Sequence, residues 1–277
     1  MSRSYTGINY KETYFLHKEL TKIHGEPTYE TIHNLHKEVK ANAASVPSTL
    51  GGGALGHLGL AITPEQYALI SNAAFVRPNH PGPLVIPPNL TQAQIQAVRD
   101  QHVEQLRLFN EVLAVESALR QQINGAIEST YLNAIRNRQT NAITMPVSEI
   151  FNLHLYDIYG KVDAEMLETE REKVVQMTYD VSYPPDKVYT PVEDFLDLGV
   201  AAGDPFTQRE AVNMAFKIIN ETGRFAHFVR TWLERPAAQQ TWINFKAHFN
   251  AAYKSIKEVK SLSLANPLPR HLLSSLC

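Results

Sequence analysis

Apolar residues recur along this chain at steps of three and four, the period of an α-helix rather than of a strand. The signal is strongest from Thr91 to about Gln139. There Ile95, Val98, Leu106, Phe109 and Leu113 line up, and the series continues through Leu119, Ile123, Ile127, Tyr131 and Ile135. No proline interrupts this stretch and Gly125 is its one glycine, so it predicts one very long helix, or two that break near Asn124-Gly125. Residues 8–42 read as two helices divided at Gly25-Glu26-Pro27, with Thr28 as N-cap before Ile32, Leu35 and Val39. After Met145-Pro146 shorter helices are expected at about 147–158, 163–177, 190–201, 207–221, 224–234 and 239–260, with a Tyr-Pro-Pro-Asp loop at 183–186. Thr207 precedes Glu210 by three residues, a capping box, and Gly223 stands where a left-handed C-terminal cap belongs. No alternating run of strand length suggests a sheet. The expected fold is all-α in two parts, an N-terminal region 1–145 and a compact helix bundle 146–262, followed by a tail at 263–277.

Residues 45–90 break the helical pattern. They hold 6 of the 13 glycines and 7 of the 16 prolines, a density that forbids long regular elements. The exception is a short helix from Pro64 to about Ser71, capped by Thr63. Leu55, Leu58, Leu60 and Ile62 are too apolar for a free linker and are expected to fold back over the helices. The run from Gly51 to Gly59 lacks the Gly-Lys-Ser/Thr ending of a phosphate loop, so its glycines read as permitting positive backbone dihedrals and close chain approach.

With 44% hydrophobic and 19% charged residues the chain can bury an ordinary core. Its one cysteine, Cys277, excludes an internal disulfide and any zinc site with paired thiolates. Neither a signal peptide nor an apolar span of about 20 residues is visible, so the expected location is the cytoplasm, with no membrane partner. His33 and His36 share a helical face, with His17, His24 and His57 nearby in sequence, but no HExxH pattern or carboxylate cluster accompanies them. They are read as solvated helix residues. Glu168 and Glu172, or Glu193, Asp194 and Asp197, read as solvent faces of helices. Asp-Thr/Ser-Gly and Gly-x-Ser-x-Gly are both absent. The chain is therefore expected not to be an enzyme, and to use no cofactor, metal or small-molecule substrate.

Charge is unevenly spread. From Gly223 onward eight Lys or Arg face two acids, so the last fifth carries about +6 and the rest about −8. Lys254, Lys257 and Lys260, three residues apart, and Arg270 in a Pro-containing tail are the candidate nucleic-acid contacts. They could neutralise phosphates but not read bases. The densest aromatic pattern lies here too. Trp242, Phe245, Phe249 and Tyr253 share one side of the last helix, and Phe225, Phe228 and Trp232 one side of the helix before it. Trp232, Trp242, Phe245 and Phe249 are read as structural core.

The segment 177–259, above all its Trp-Leu-Glu-Arg-Pro and Thr-Trp-x-x-Phe-Lys-x-His-Phe sequences, resembles the C-terminal capsid region of Gag from copia-type retrotransposons, notably algal ones. Residues 29–67 are similar to the N-terminal portion of the same proteins, and 91–145 correspond by position. The resemblance implies a structural capsid protein that self-assembles into particles around element RNA, with no catalytic residue to carry over. Many Gag proteins add a Cys-Cys-His-Cys zinc knuckle, which a single Cys277 cannot supply, so any RNA packaging should be non-specific. The alternative is a monomeric helical adaptor or nucleic-acid-binding module.

Overall fold

The structure, a computed structural model, describes residues 8–265 and, in the last helix, side chains as far as Glu258. The described residues divide into two compact units at 161/162. Among the described residues no strand forms, and the extended backbone pairs at only two isolated bridges, Ile23 with Ile127 and Arg136 with Ile143. The fold is all-α.

The first unit contains α1 (Tyr10–Thr13), α2 (Tyr29–Ser45), α3 (Pro64–Ala68), α4 (Gln92–Ala126), α5 (Ser129–Leu132) and α6 (Val147–Glu149), which runs through a π-helical turn (Ile150–Leu155) into α7 (Tyr156–Ile158). Thr28, Thr63 and Thr91 cap α2, α3 and α4 by reciprocal bonds with the residue three positions on. The core is built from Ile32, Leu35 and Val39 of α2, Val115, Leu119 and Ile123 of α4, and Val147, Ile150, Phe151 and Leu155. That last group moves the unit boundary from the expected 145/146 to 161/162. The 147–158 helix buries its apolar face in the first core, where the His36 ring stacks on Phe151 at 4.0 Å, rather than joining the C-terminal bundle.

The expected first helix shrinks to the four residues of α1. Beyond it the chain is irregular because tertiary partners take its polar groups. Asn42 Oδ1 accepts from the His17 amide at 2.7 Å, and Asn42 Nδ2 and Gln122 Nε2 donate to the His17 carbonyl. Phe15, Leu20 and Ile23 are thereby turned inward.

Two 3₁₀ turns, Leu50–Gly52 and Leu58–Leu60, bring the Gly-rich segment back over α2. Leu60 and Ile62 are buried, while Leu55 and Leu58 are half-buried. Gly56 has φ +53, and a Cβ there would stand 2.3 Å from the Ala44 carbonyl oxygen. At Gly51, φ +57, the same atom would stand 2.2 Å from the Tyr67 hydroxyl. These glycines permit positive dihedrals and close packing, as expected of the Gly51–Gly59 run.

α4, about 52 Å long at 1.5 Å per residue, stops at Ala126 and α5 follows, so the chain breaks beside the expected Asn124-Gly125 rather than running as one helix to Gln139. The buried residues of α4 all lie from Val112 onward, and Ile95, Val98, Leu106 and Phe109 are half-buried. A Pro-rich strap runs along this exposed half in the opposite direction. Arg77 bonds Glu116 at 2.7 Å, the His80 ring meets Phe109 edge-on at 5.0 Å, and the Gly82 carbonyl accepts from His102 Nε2 at 3.0 Å. The partners on α4 are thus spaced by two helical turns.

The second unit is a bundle of α8 (Ala164–Val175), α9 (Asp186–Ala202), α10 (Gln208–Glu221), α11 (Ala226–Leu233) and α12 (Trp242–Ala265). α9 begins four residues earlier than expected, with Pro191 inside it, where the ring removes one backbone donor from the second turn. The Thr207–Glu210 capping box forms, and Gly223 takes φ +65 after α10.

Candidate nucleic-acid interface

α11 and α12 form an antiparallel hairpin closed by aromatic contacts at each step. Phe225 meets Phe249 at 6.0 Å, and Trp232 meets Phe245 at 5.2 Å, both edge-on. Trp232, Trp242, Phe245 and Phe249 are all buried. Arg235 lies 5.4 Å over the Trp232 ring and donates from Nη2 to His248 Nδ1 at 3.1 Å. His248 Nε2–H donates in turn to the Phe228 carbonyl at 2.8 Å. That pattern requires the neutral imidazole. Burial, reinforced by the Arg235 charge, holds the His248 pKa below its ordinary value against the opposing pull of the Phe228 carbonyl. At the start of α12, Glu193 Oε1 accepts from Trp242 Nε1 at 2.9 Å and from Lys246 Nζ at 2.6 Å. Arg235 and Lys246 are thus engaged inside the unit.

Lys254 and Lys257 stand exposed on α12, with Lys257 Nζ 4.9 Å over the Tyr253 ring. The Lys260 side chain and Arg270 lie outside the described residues. Two residues that the sequence reading passed over lie close to this end of α12. Tyr253 Oη donates to the Ser182 carbonyl at 3.1 Å, which brings the 177–186 loop to the helix. The next residue in that loop, Tyr183, is more than half exposed, and Lys187 Nζ stands 5.8 Å over its ring. Arg224 is exposed at the same end of the hairpin, beside Phe225. An open aromatic face among lysines is what single-stranded nucleic acid stacks on. Asp180 opposes such a ligand: hydrogen bonds from Ser182 keep its carboxyl below the usual range, so it stays ionised. The signal for Tyr183 and Lys187 in the sequence is Tyr-Pro-Pro-Asp-Lys, whose prolines mark a loop and whose flanking tyrosine and lysine supply the ring and the charge.

The first unit corrects the reading of its histidines. His33, His36 and His57 are buried, not solvated. His36 Nε2–H donates to the Ala61 carbonyl at 2.8 Å and its Nδ1 faces the Tyr156 hydroxyl at 3.3 Å. Burial, with the Lys40 charge, brings its pKa down to about 3. His57 Nδ1–H donates to the Val46 carbonyl at 3.2 Å, and its Nε2 lies 3.5 Å from Glu111 Oε1. Burial depresses the pKa of this ring too, although that carboxylate pulls it upward. Glu116 is buried at the junction of three segments and accepts from Arg77 and from the Val147 amide at the start of α6. A cleft of about 290 Å³ opens beside Tyr10, Tyr14, Ser48 and Thr49, and its charged lining, Arg107 and Glu111, is already ion-paired. Among the described residues no three His, Cys, Asp or Glu side chains are placed to hold a metal ion, and no helix is long and apolar enough to cross a membrane.

No family model, no curated protein and no solved structure matches this chain.

Proposed function

We propose that the chain is a structural protein of the Gag capsid type, which self-assembles into particles in the cytoplasm and packages RNA without sequence preference. The observation that carries this reading is where the motif residues lie. The Trp-Leu-Glu-Arg-Pro and Thr-Trp-x-x-Phe-Lys-x-His-Phe sequences converge on one lock, in which Arg235 joins Trp232 to His248 and Glu193 ties Trp242 to Lys246. Residues spent on closing a hairpin are unlike the exposed, convergent groups of an active site, which supports a scaffold rather than a catalyst. The reading assigns no catalytic residue, cofactor or small-molecule substrate.

RNA would meet the end of α12 through Lys254 and Lys257, with Tyr183, Lys187 and Arg224 beside them. Exposed cations and one open ring supply affinity for phosphate and base faces without base-edge readout. Light scattering after size exclusion, with and without RNA at two salt concentrations, tests the proposal. Multimers that grow with protein concentration are expected, with RNA binding that falls steeply as salt rises. A strictly monomeric chain that holds one RNA sequence at high salt would instead identify a nucleic-acid-binding module.

A further inference from the structure

Sixteen large apolar side chains stand exposed among the described residues, and six of them fall within one eighteen-residue segment of the first unit. They are Leu69, Ile70, Val76, Leu84, Val85 and Ile86, with Leu69 86% and Val85 74% exposed. The segment ends in the strap already described, which is pinned to α4 at Arg77, His80 and Gly82 and carries its outward side chains along more than 20 Å of that helix. Summed along the segment they offer on the order of 600 Å² of apolar side chain, most of the ~800 Å² that a stable interface takes from each partner.

We propose that the outward side of this strap is a contact surface for a second copy of the chain. Charge selects that occupant. From Gln66 to Arg99 there is no acidic residue, and of the two arginines Arg77 is paired with Glu116. In an isologous contact the same patch meets itself, residue i facing residue j and j facing i, so a patch of one charge sign repels itself, whereas a neutral apolar ridge is self-complementary. An anionic membrane would call for a cluster of lysines or arginines beside the apolar residues, and Arg99 alone does not make one. The contact is made through side chains rather than by strand addition. Among the described residues no main-chain bond joins 74–86 to another main-chain group, but Pro78, Pro81 and Pro83 remove the donors that a ladder needs.

The inference rests on the assembly reading for the expectation that copies meet, and adds where they do so. The full chain should associate reversibly in sedimentation equilibrium. Leu69→Glu/Val85→Glu should raise the dissociation constant at least tenfold with an unchanged circular dichroism melt, while Val200→Glu, an exposed apolar position in the other unit, should not. Val85→Cys in a Cys277→Ser background reads the contact without adding charge, and a flexible bis-maleimide should join two copies through it. Undiminished association of the double-glutamate variant, with no cross-link through Cys at 85, overturns the strap contact and leaves assembly standing. A parent chain that is monomeric at every concentration overturns both. Flotation with anionic phosphatidylserine vesicles, lost on Val85→Glu, assigns the ridge to a membrane and overturns the proposal.

Discussion

Arg235 Nη2 sits 3.1 Å from His248 Nδ1, and this one bond fixes which nitrogen of the imidazole carries the proton. Nδ1 must accept, so Nε2 donates to the Phe228 carbonyl and α12 is stapled to α11 from the inside. Replacing His248 by Ala leaves a half-buried guanidinium and a carbonyl without their partner. The second unit should lose about 1–3 kcal/mol, read as a lower melting temperature. Arg235→Lys should recover little of the bond, because an ammonium cannot both stack on Trp232 and reach His248 as the planar fork does.

Trp242 packs flat against Phe245 at 5.7 Å and edge-on to Tyr189 at 5.6 Å, and its indole N–H is held by Glu193. Truncation to Ala should cost roughly 3–5 kcal/mol, enough to threaten a unit of marginal stability. Denaturant titration followed by circular dichroism should show a lower midpoint, and a midpoint equal to the parent's would contradict the core assignment.

Acid should weaken the fold well before the carboxylates titrate. In the unfolded chain His36 takes up a proton near pH 6.5, whereas in the folded chain its pKa lies at about 3. Between those values the unfolded state binds one more proton, so stability is fully present above about pH 6.5 and falls by about 1.4 kcal/mol per pH unit below it. From pH 6.5 to pH 5 His36 alone should cost about 2 kcal/mol, with His57 and His248 shifted the same way. Chemical denaturation across pH 5–8 should give that slope, and His36→Gln should flatten it for the first unit.

Gly56→Ala should destabilise the first unit by about 2 kcal/mol or more, since φ +53 is strained for alanine and its Cβ would press on the Ala44 carbonyl. Gly25→Ala is the comparison: it has φ +76 but nothing within 4 Å, so only the backbone cost remains. Thermal melts of the two variants should separate in that order.

Charge reversal at Lys254 and Lys257 should weaken RNA binding about equally for unrelated sequences, from a starting affinity of roughly 10⁻⁴ to 10⁻⁶ M near physiological salt. Tyr183→Ala should cost a further ~1–3 kcal/mol if its ring stacks on a base. Fluorescence anisotropy with two unrelated single-stranded RNAs checks both, and a loss confined to one RNA would contradict the non-specific reading.

What the sequence determined by itself was everything that local physics enforces. Threonine caps, glycine stops and the three-four spacing marked most of the helices, because each acts within a turn or two of chain. The aromatic seam of α11 and α12 was legible for the same reason: a period of 3.6 names the buried face whatever it is buried against. Tertiary structure alone decided the rest. The 14–27 segment is not a helix because Asn42 and Gln122, distant in sequence, take its polar groups. His36 became core, not surface, when the 147–158 helix brought Phe151 onto its ring, and that contact also moved the unit boundary. Tyr183 and Lys187 reached the basic end of α12 through tertiary contacts such as the Tyr253–Ser182 bond and the Tyr179–Phe225 stack. Each of these depends on a partner far along the chain, and no local pattern of apolar and polar residues specifies which partner a face will meet.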